Sequence, residues 1–583
     1  MIKKYIYGVL GLIALAQMLS SCEAFLDKPP LDRIGNDSYW KTASDLENYT
    51  LQYYPVFSFF RIDGYQGIMG VDALRGSDTQ IASGVNTTMN GSRNPVTSGG
   101  NWGWDQIRSV NFFLDNYRKC QDPVSAYGHF LGEAHFFKAW FYFEKLKSYG
   151  DVPWFAHALE MQSDELYQER NSRVVVVDSI LWNIDQAIRF LNPLQSVIGG
   201  KNRLSKETAL LFKTRVALYE GSWQKYHRNT DFGTAGVDPN KYFRICVNAA
   251  EELMAPANGY RTGLYSTSNP EDDWCKMFSL IDQTNNPEVF LWMRFNVGMG
   301  LTNRYQMYIS ERTTGQSITF EQIQHYLDRD GNPYDYYAVG QTVKGNQFIT
   351  QIAEECDPRL SQLIWIPGML MWDNFLGYNV FDKPYIDQSG LSLNSTGFQL
   401  RKGSDPKVNE TNSMETSQIV FRYAEVLLNY AEAKCELEET VDYNKSINLL
   451  RQRSGMPDFK IQTDPTRLRY ADYGYQISDE LYEIRRERTV ELACESFRYD
   501  DIMRWAAHKL IQGKRPKGYP LDLTEWQGTT INYSVDTNGF LDPFSTQLPN
   551  GYGFKPDRDY LECIPLNEIT LNPKLKQNPG WSQ

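Results

Sequence analysis

The chain has 583 residues, 42% of them hydrophobic, 22% charged and 14% aromatic, a composition that supports a sizeable folded core and excludes an intrinsically disordered protein. Its 71 acidic residues outnumber 59 basic ones for a net charge of -12, which excludes nucleic acid or an anionic membrane surface as the main partner, since both need a basic footprint. Length alone allows several domains.

Lys3 and Lys4 open the chain, Val9 to Leu19 is nearly all apolar, and Ser20 and Ser21 stand before Cys22. That is the order of a secretory signal. The apolar run of about ten to fourteen residues is shorter than the roughly twenty a membrane-spanning helix takes. Leu19-Ser20-Ser21-Cys22 resembles the lipobox of bacterial lipoproteins, in which the cysteine is acylated and becomes the mature N-terminus; the alternative is an ordinary secretory signal with an incidental cysteine. Resemblance to these lipoproteins implies that Cys22 carries the lipid anchor. Glu23 and Asp27 resemble the acidic surface-export signal of Bacteroidetes lipoproteins. The seven remaining cysteines are odd in number and widely spaced, with no C-x-x-C, so neither a disulfide framework nor a zinc site is expected, and most are read as small buried apolar residues.

Helical periodicity then covers roughly 104–119, 130–150, 174–191, 205–221, 241–254, 418–437, 442–454 and 479–508. From Ala134 to Leu146 apolar residues take nearly every face, which marks a helix buried on most sides, with Gly150 as its stop. Ser205 reads as an N-cap and Gly221 as a terminator of the helix between them. So many helices joined by short turns suggest stacked pairs like tetratricopeptide repeats, although the 34-residue signature is absent. Residues 61–103 are rich in Gly, Asn, Ser and Thr, and residues 296–417 mix Gly and Pro with many aromatics; loops of this length are usually functional or disordered, and aromatic content argues against disorder.

Glu487, Glu491 and Glu495 form the densest ionisable segment and invite a hydrolytic reading. Arg488, Arg498 and Arg504 lie within helical reach of acidic partners, and carboxylates paired in that way have lowered pKa values that suit no general acid. The expectation is a structural network, with Arg488 and Glu491 a buried pair. The six histidines show no H-E-x-x-H or other ligand spacing, His135 reads as a core histidine, and no G-x-S-x-G elbow or P-loop is present.

Eight segments in order resemble the SusD/RagB family of outer-membrane nutrient-binding lipoproteins of Bacteroidetes: "FLDKPP", "YWKTASDLENY", "WDQIRSVNFFLDNY", "GEAHFFKAWFYFEKLKSYGDVPW", "RYAEVLLNYAEA", "INLLRQRSGMP", "IRRERTVELACESFRYDDIMRW" and "ECIPLNEITLNPKLKQNPGW". The resemblance runs from Cys22 to the C-terminus. It implies a mainly α fold: a right-handed helical scaffold with tetratricopeptide-like helix pairs and an irregular, loop-rich C-terminal half with a few short strands. It implies three parts, a signal peptide over 1–21, an N-terminal helical region over 22–290 and a C-terminal region over 291–583 packed back on the helices. The implied role is capture of an oligosaccharide, or in some members a peptide, and its delivery to a SusC-like TonB-dependent transporter, with no catalysis, cofactor or metal. By region, the resemblance directs attention to Asn101, Trp102 and Trp104 at the end of the Gly-rich loop, with Trp102 as a surface aromatic. Arg75 and Asp78 are candidates for polar contacts. Tyr305, Tyr308 and Trp372 are candidates from the C-terminal half. Sugars need such groups, flat aromatics beside a few orienting polar atoms.

Overall fold

The computed structural model of the protein describes residues 39–57, 71–313, 316–411 and 413–581; the leader 1–21 and Cys22 lie outside the described residues. The main helices are α1 (Ala43–Leu51), α2 (Asp105–Asn116), α3 (Val124–Tyr149), α4 (Arg173–Phe190), α5 (Lys206–Tyr226), α6 (Asn240–Met254), α7 (Gly345–Glu355), α8 (Tyr423–Glu436), α9 (Ile447–Arg453), α10 (Asp479–Glu491), α11 (Arg498–Arg504) and α12 (Leu566–Leu571). The longer strands are β1 (Val289–Met293), β2 (Leu370–Asn374), β3 (Gly377–Val380) and β4 (Gln418–Arg422). The fold is mainly α with short strands, as the sequence implies.

Local chemistry sets the helix ends. Thr42 and Asp45 form a capping box at α1, and the Ser205 hydroxyl accepts from the Thr208 amide at α5. Gly150 ends α3 at φ 69°, the left-handed region glycine enters without strain. Gly221, by contrast, does not terminate α5, which continues to Tyr226. Its reason is packing: a Cβ there would stand 2.7 Å from the Phe243 ring on α6, so glycine lets the two helices close.

Three other expectations are corrected. The helix predicted from 418 begins at Tyr423, because Gln418–Arg422 pairs antiparallel with β1, Val289 opposite Arg422 and Met293 opposite Gln418. The helix predicted over 479–508 breaks after Glu491, where Cys494 and Ser496 take positive φ. Side chains take over the carbonyls at the break: Arg422 Nη2 and Trp274 Nε1 donate to Glu491 O, and Lys402 Nζ donates to Ala493 O. Inside the segment read as loop, α7 buries Phe348, Ile349 and Ile352 along one face.

α3 packs against α1, α2 and α4; α4 packs on α5, α5 on α6, and α6 on α8, which also packs on α10. One apolar core extends from Trp40 to Leu575 and holds the α3 aromatics, each fully buried ring contributing about 1.5–3 kcal/mol. A second core gathers Trp274, Phe320, Phe348, Phe398, Tyr519 and Phe540 under the C-terminal loops. The N-terminal turns of α2, the chain leaving α3 and the C-terminal α12 line one cleft on the flank of the first core.

Candidate functional site

At that junction lies a cleft of about 290 Å³. Its first wall is α2, through Trp104, Ile107, Arg108 and Asn111; its second is the 153–167 segment, with Phe155, Leu159 and Tyr167; its third is the tail, with Leu571 and Leu575. The Trp104 ring, half-buried, meets Phe155 edge-on at 5.1 Å and Trp102 at 5.5 Å, and Lys145 Nζ lies 5.1 Å from its centroid. Asn111 pins the second wall to the first, its Nδ2 donating to the carbonyls of Phe155 at 3.0 Å and His157 at 2.9 Å. The Asn111 Oδ1 is fully buried and has no donor among the described residues. At the rim Arg108 Nε donates to Leu159 O and its Nη2 lies 3.7 Å from Glu160, His157 Nδ1 is 2.7 Å from Asp115, and Glu568 also lines the cleft. Tyr167 is 52% and Leu571 68% exposed, so the mouth sets apolar side chains among the charged ones and is open to solvent.

Of the residues singled out from sequence, Trp102 and Trp104 line this cleft together. Trp102 is only 4% exposed, wedged edge-on against Tyr149 at 4.9 Å, so the surface position expected of it is corrected: it is a core residue that also walls the cleft. Asn101 is exposed beside it and its carbonyl accepts from Lys145 Nζ. The other candidates do not line it. Arg75 pairs with Asp500 and lies over the Tyr499 ring at 4.5 Å. Asp78 is 5% exposed and takes both Arg498 Nε and Nη2 at 2.7 and 2.6 Å. Both residues therefore tie the Gly-rich loop to α11. Tyr305 and Tyr308 are buried in the short helix Tyr305–Ile309, with the Tyr305 hydroxyl donating to Lys402 O. Trp372 is half-buried in β2 against the cluster of Trp365, Met371 and Phe381. Sequence reasoning missed Phe155, Leu159, Tyr167 and Leu571; the one available signal was the apolar spacing of Phe155 and Leu159 just past the Gly150 stop.

A second cavity, of about 250 Å³, lies beside Arg75, and its cations are paired within its own walls or just behind them: Lys147 with Glu144, Arg215 with Glu425, Arg488 with Asp501. The glutamates once open to a hydrolytic reading are also accounted for. Glu491 receives Arg453 Nη2 at 2.6 Å, Arg422 Nη1 at 2.8 Å and Arg359 Nη1 at 3.0 Å, Glu487 receives Arg359 at 2.6 Å, and Glu495 receives Lys402 at 2.6 Å. Burial alone would raise the Glu491 carboxyl, but the three guanidiniums hold it well below the usual carboxylate range. The expected Arg488–Glu491 pair is corrected: Arg488 donates to Asp501 at 2.8 Å and to Asn429 Oδ1 at 2.8 Å, because it leaves α10 toward α8 and α11 while Glu491 faces the strands. His135 behaves as a core histidine, its Nδ1 2.9 Å from Asn183 Oδ1. Among the described residues no group of three or more His, Cys, Asp or Glu is arranged to hold a metal ion, and no helix is long and apolar enough to cross a membrane.

Comparison with known proteins agrees with this architecture. Residues 296–581 match the sequence model of the SusD family. A SusD-like protein of Formosa agariphila is 24% identical over 84% of this chain and 88% of its own, and another from the same organism is 22% identical over 98% of each. Among solved structures, a SusD-like carbohydrate binding protein from Bacteroides fragilis superposes with a TM-score of 0.70 at 21% identity, covering 92% of this chain and all of that one. A laminarin binding SusD-like protein superposes with a TM-score of 0.56 at 16% identity over 93% of this chain and all of that one. With the family sequence model over the C-terminal half and the SusD architecture along almost the whole chain, the protein belongs to the SusD/RagB family.

Proposed function

We propose that the protein is a cell-surface binding protein, anchored in the outer membrane by acylated Cys22, that captures an oligosaccharide and passes it to a SusC-like TonB-dependent transporter without hydrolysing it. Family membership supports the role, and relatives described as carbohydrate binding and laminarin binding support the ligand class. The observation that carries a site on this chain is the Trp104 cleft, where the aromatic side chains Trp104, Phe155 and Tyr167 and the polar side chains Arg108, His157 and Glu568 line one opening. The buried, ion-paired state of Glu487, Glu491 and Glu495 takes the strongest carboxylate candidates away from catalysis. In this reading Asn101 adds a polar group at the edge of the site, whereas Arg75, Asp78, Tyr305 and Tyr308 support the scaffold.

The aliphatic share of the lining, with Leu159, Leu571 and Leu575, favours a second reading in which a peptide places an apolar side chain in the cleft. A glycan array followed by calorimetric titration of the soluble protein separates the two. Tyr167→Ala, at an exposed position, is expected to weaken the best glycan at least tenfold, about 1.4 kcal/mol, with an unchanged melting temperature. Equal affinity of the two proteins would remove the cleft from the binding site, and binding of peptides alone would establish the second reading.

A further inference from the structure

We infer that the third wall of the Trp104 cleft is a hinged flap, residues 565–576, that opens as a unit about a fixed neck and is latched shut by Asn572, a device that rests on the glycan-binding reading of the cleft for what it admits.

The neck is a ring of side-chain hydrogen bonds. The Gln577 amide closes on the backbone of Ile564, its Oε1 accepting from Ile564 N at 2.8 Å and its Nε2 donating to Ile564 O at 2.9 Å. Beside it Asn578 Nδ2 donates to Glu562 O at 2.8 Å. Both ends are fastened to the body: Glu562 N donates to Ser148 O in the last turn of α3, and Arg170 Nη1 donates to Asn578 Oδ1 at 2.7 Å. The chain therefore leaves and re-enters the fold at one point, and the residues between form an Ω-loop, a compact unit whose ends are already together.

Little ties that loop to the rest of the molecule. Among the described residues its hydrogen bonds to the body run from Leu566 N to Val96 O and Asn567 N to Thr97 O, both 3.0 Å, on the glycine-rich loop, and from Asn572 Nδ2 to Gln168 O, 2.9 Å, beside the second wall. Its apolar hold is the buried Leu575, with Ile569 partly buried against the first core, whereas Asn567, Thr570, Leu571, Lys574 and Lys576 face solvent. Leu571 and Leu575 line open space rather than a packed contact with α2. A segment held by few buried apolar contacts and few hydrogen bonds opens well below the cost of global unfolding.

Asn572 is the tie between two walls. It is 5% exposed and lines the cleft, and its Oδ1 accepts from Lys574 N at 3.1 Å, which fixes the turn after α12 while Nδ2 meets the Gln168 carbonyl. Gln168 is itself held, its Nε2 donating to Trp154 O at 3.2 Å. Release of the Asn572 bond thus parts the third wall from the second. The closed volume of about 290 Å³ is at the lower end of ordinary ligand pockets, about 300–1,000 Å³, so a longer glycan is seated when the flap opens and held when the latch reforms.

The test is hydrogen exchange and trypsin digestion of the soluble chain without ligand, with Asn572→Asp as the variant. Aspartate has the shape of asparagine and keeps the acceptor for Lys574 N, but it sets an oxygen against the Gln168 carbonyl in place of the donor, so it removes the latch and leaves the turn. In the parent, corrected for intrinsic rates, the Leu566 and Asn567 amides are expected to exchange at least tenfold faster than the Glu562 and Ile564 amides of the neck. Asn572→Asp is expected to speed that exchange, and cleavage after Lys574 and Lys576, at least tenfold further, with the neck amides and the melting temperature unchanged. Exchange of flap and neck amides at one rate in the parent would overturn the flap, by showing that the tail opens only with the whole fold. Unchanged flap exchange and cleavage in Asn572→Asp would overturn the latch. Neither readout involves a sugar, so absence of binding across the glycan array would overturn the glycan-binding reading and leave the flap standing.

Discussion

α3 and α10 are both buried along most of their length, and they achieve it by opposite chemistry. α3 carries Phe136, Phe137, Trp140, Tyr142 and Phe143 into the first core, where each ring replaces water with other rings. α10 has every residue from Leu481 to Glu491 buried, yet Arg485, Arg486, Glu487, Arg488 and Glu491 are among them. Its charges are affordable only because each finds an opposite charge: Arg485 meets Glu436, Arg486 meets Glu483, Arg488 meets Asp501. The difference lies in how each helix fails. Apolar burial is a sum of many small contacts and degrades gradually, whereas a buried ionic lattice loses more when one member goes than that member contributes, because the partners stay behind in a low-dielectric interior.

The largest expected effect follows directly. Glu491→Ala removes one carboxylate and leaves Arg359, Arg422 and Arg453 short of a counter-charge, so urea unfolding is expected to show a loss of about 3–5 kcal/mol. A loss below about 1 kcal/mol would mean that water or the remaining glutamates absorb the cations, and the contrast between the two helices would collapse.

The second effect is a pH dependence seated beside α10. His325 is fully buried with neither ring nitrogen hydrogen-bonded among the described residues, its ring edge-on to Tyr470, and Arg486 donates to its carbonyl at 3.1 Å. Burial first, then the cations Arg498 and Arg486, hold its pKa well below the ordinary histidine value. The folded state thus keeps His325 neutral while the unfolded state protonates below about pH 6.5, and stability falls as pH drops below that value, by up to about 1.4 kcal/mol per pH unit for this group. His135, with burial pushing its pKa down to about 4, contributes in the same direction from α3. In unfolding titrations between pH 6.5 and 5, His325→Gln is expected to show a slope smaller by that amount than the parent. An unchanged slope would place the proton uptake elsewhere.

The comparison also explains which features the sequence disclosed. α3 was legible because apolar residues on all faces have one reading, and the Ser205 cap and Gly150 stop are local devices. Gly221 was misread because its reason, the Phe243 ring, belongs to another helix. Gln418–Arg422 continues an apolar run into α8, and only its pairing with β1 makes it a strand. In α10 the existence of an ionic network was legible from the density of Arg and Glu, but the partners were not: Glu491 draws on Arg359, Arg422 and Arg453, three cations from three separate elements, and Arg488 turns to Asp501 beyond the helix break. The cleft divides in the same way. Trp102 and Trp104 stood out as aromatics beside a glycine-rich loop, while Leu159, Tyr167 and Leu571 joined them only because the fold brings α12 and the post-α3 segment to the same cleft as α2.

The smallest effect sharpens the comparison from the side of α3, which carries a buried cation of its own. Lys145 is 7% exposed, its Nζ donates to Asn101 O and faces the Trp104 ring, and no carboxylate among the described residues forms an ion pair with it. Burial pushes its pKa down to about 8 against the weaker pull of Asp105, Glu144 and Glu562. The unfolded chain holds this proton up to about pH 10.4, so between about pH 8 and 10.4 the unfolded state binds more protons and the contribution of Lys145 to stability rises with pH. Lys145→Met keeps the length of the side chain and removes the buried charge, and the Asn101 carbonyl it releases belongs to an exposed residue that water can serve. Thermal melts are therefore expected to show Lys145→Met equal to the parent or more stable by up to about 1 kcal/mol at pH 7, with the advantage shrinking toward pH 10. α3 would then tolerate the loss of this one of its buried charges, beside Glu133 and Lys138, where α10 does not tolerate the loss of Glu491. A loss above about 2 kcal/mol at pH 7 would show that Lys145 holds the Asn101 loop in place, and that α3 depends on a buried charge as α10 does.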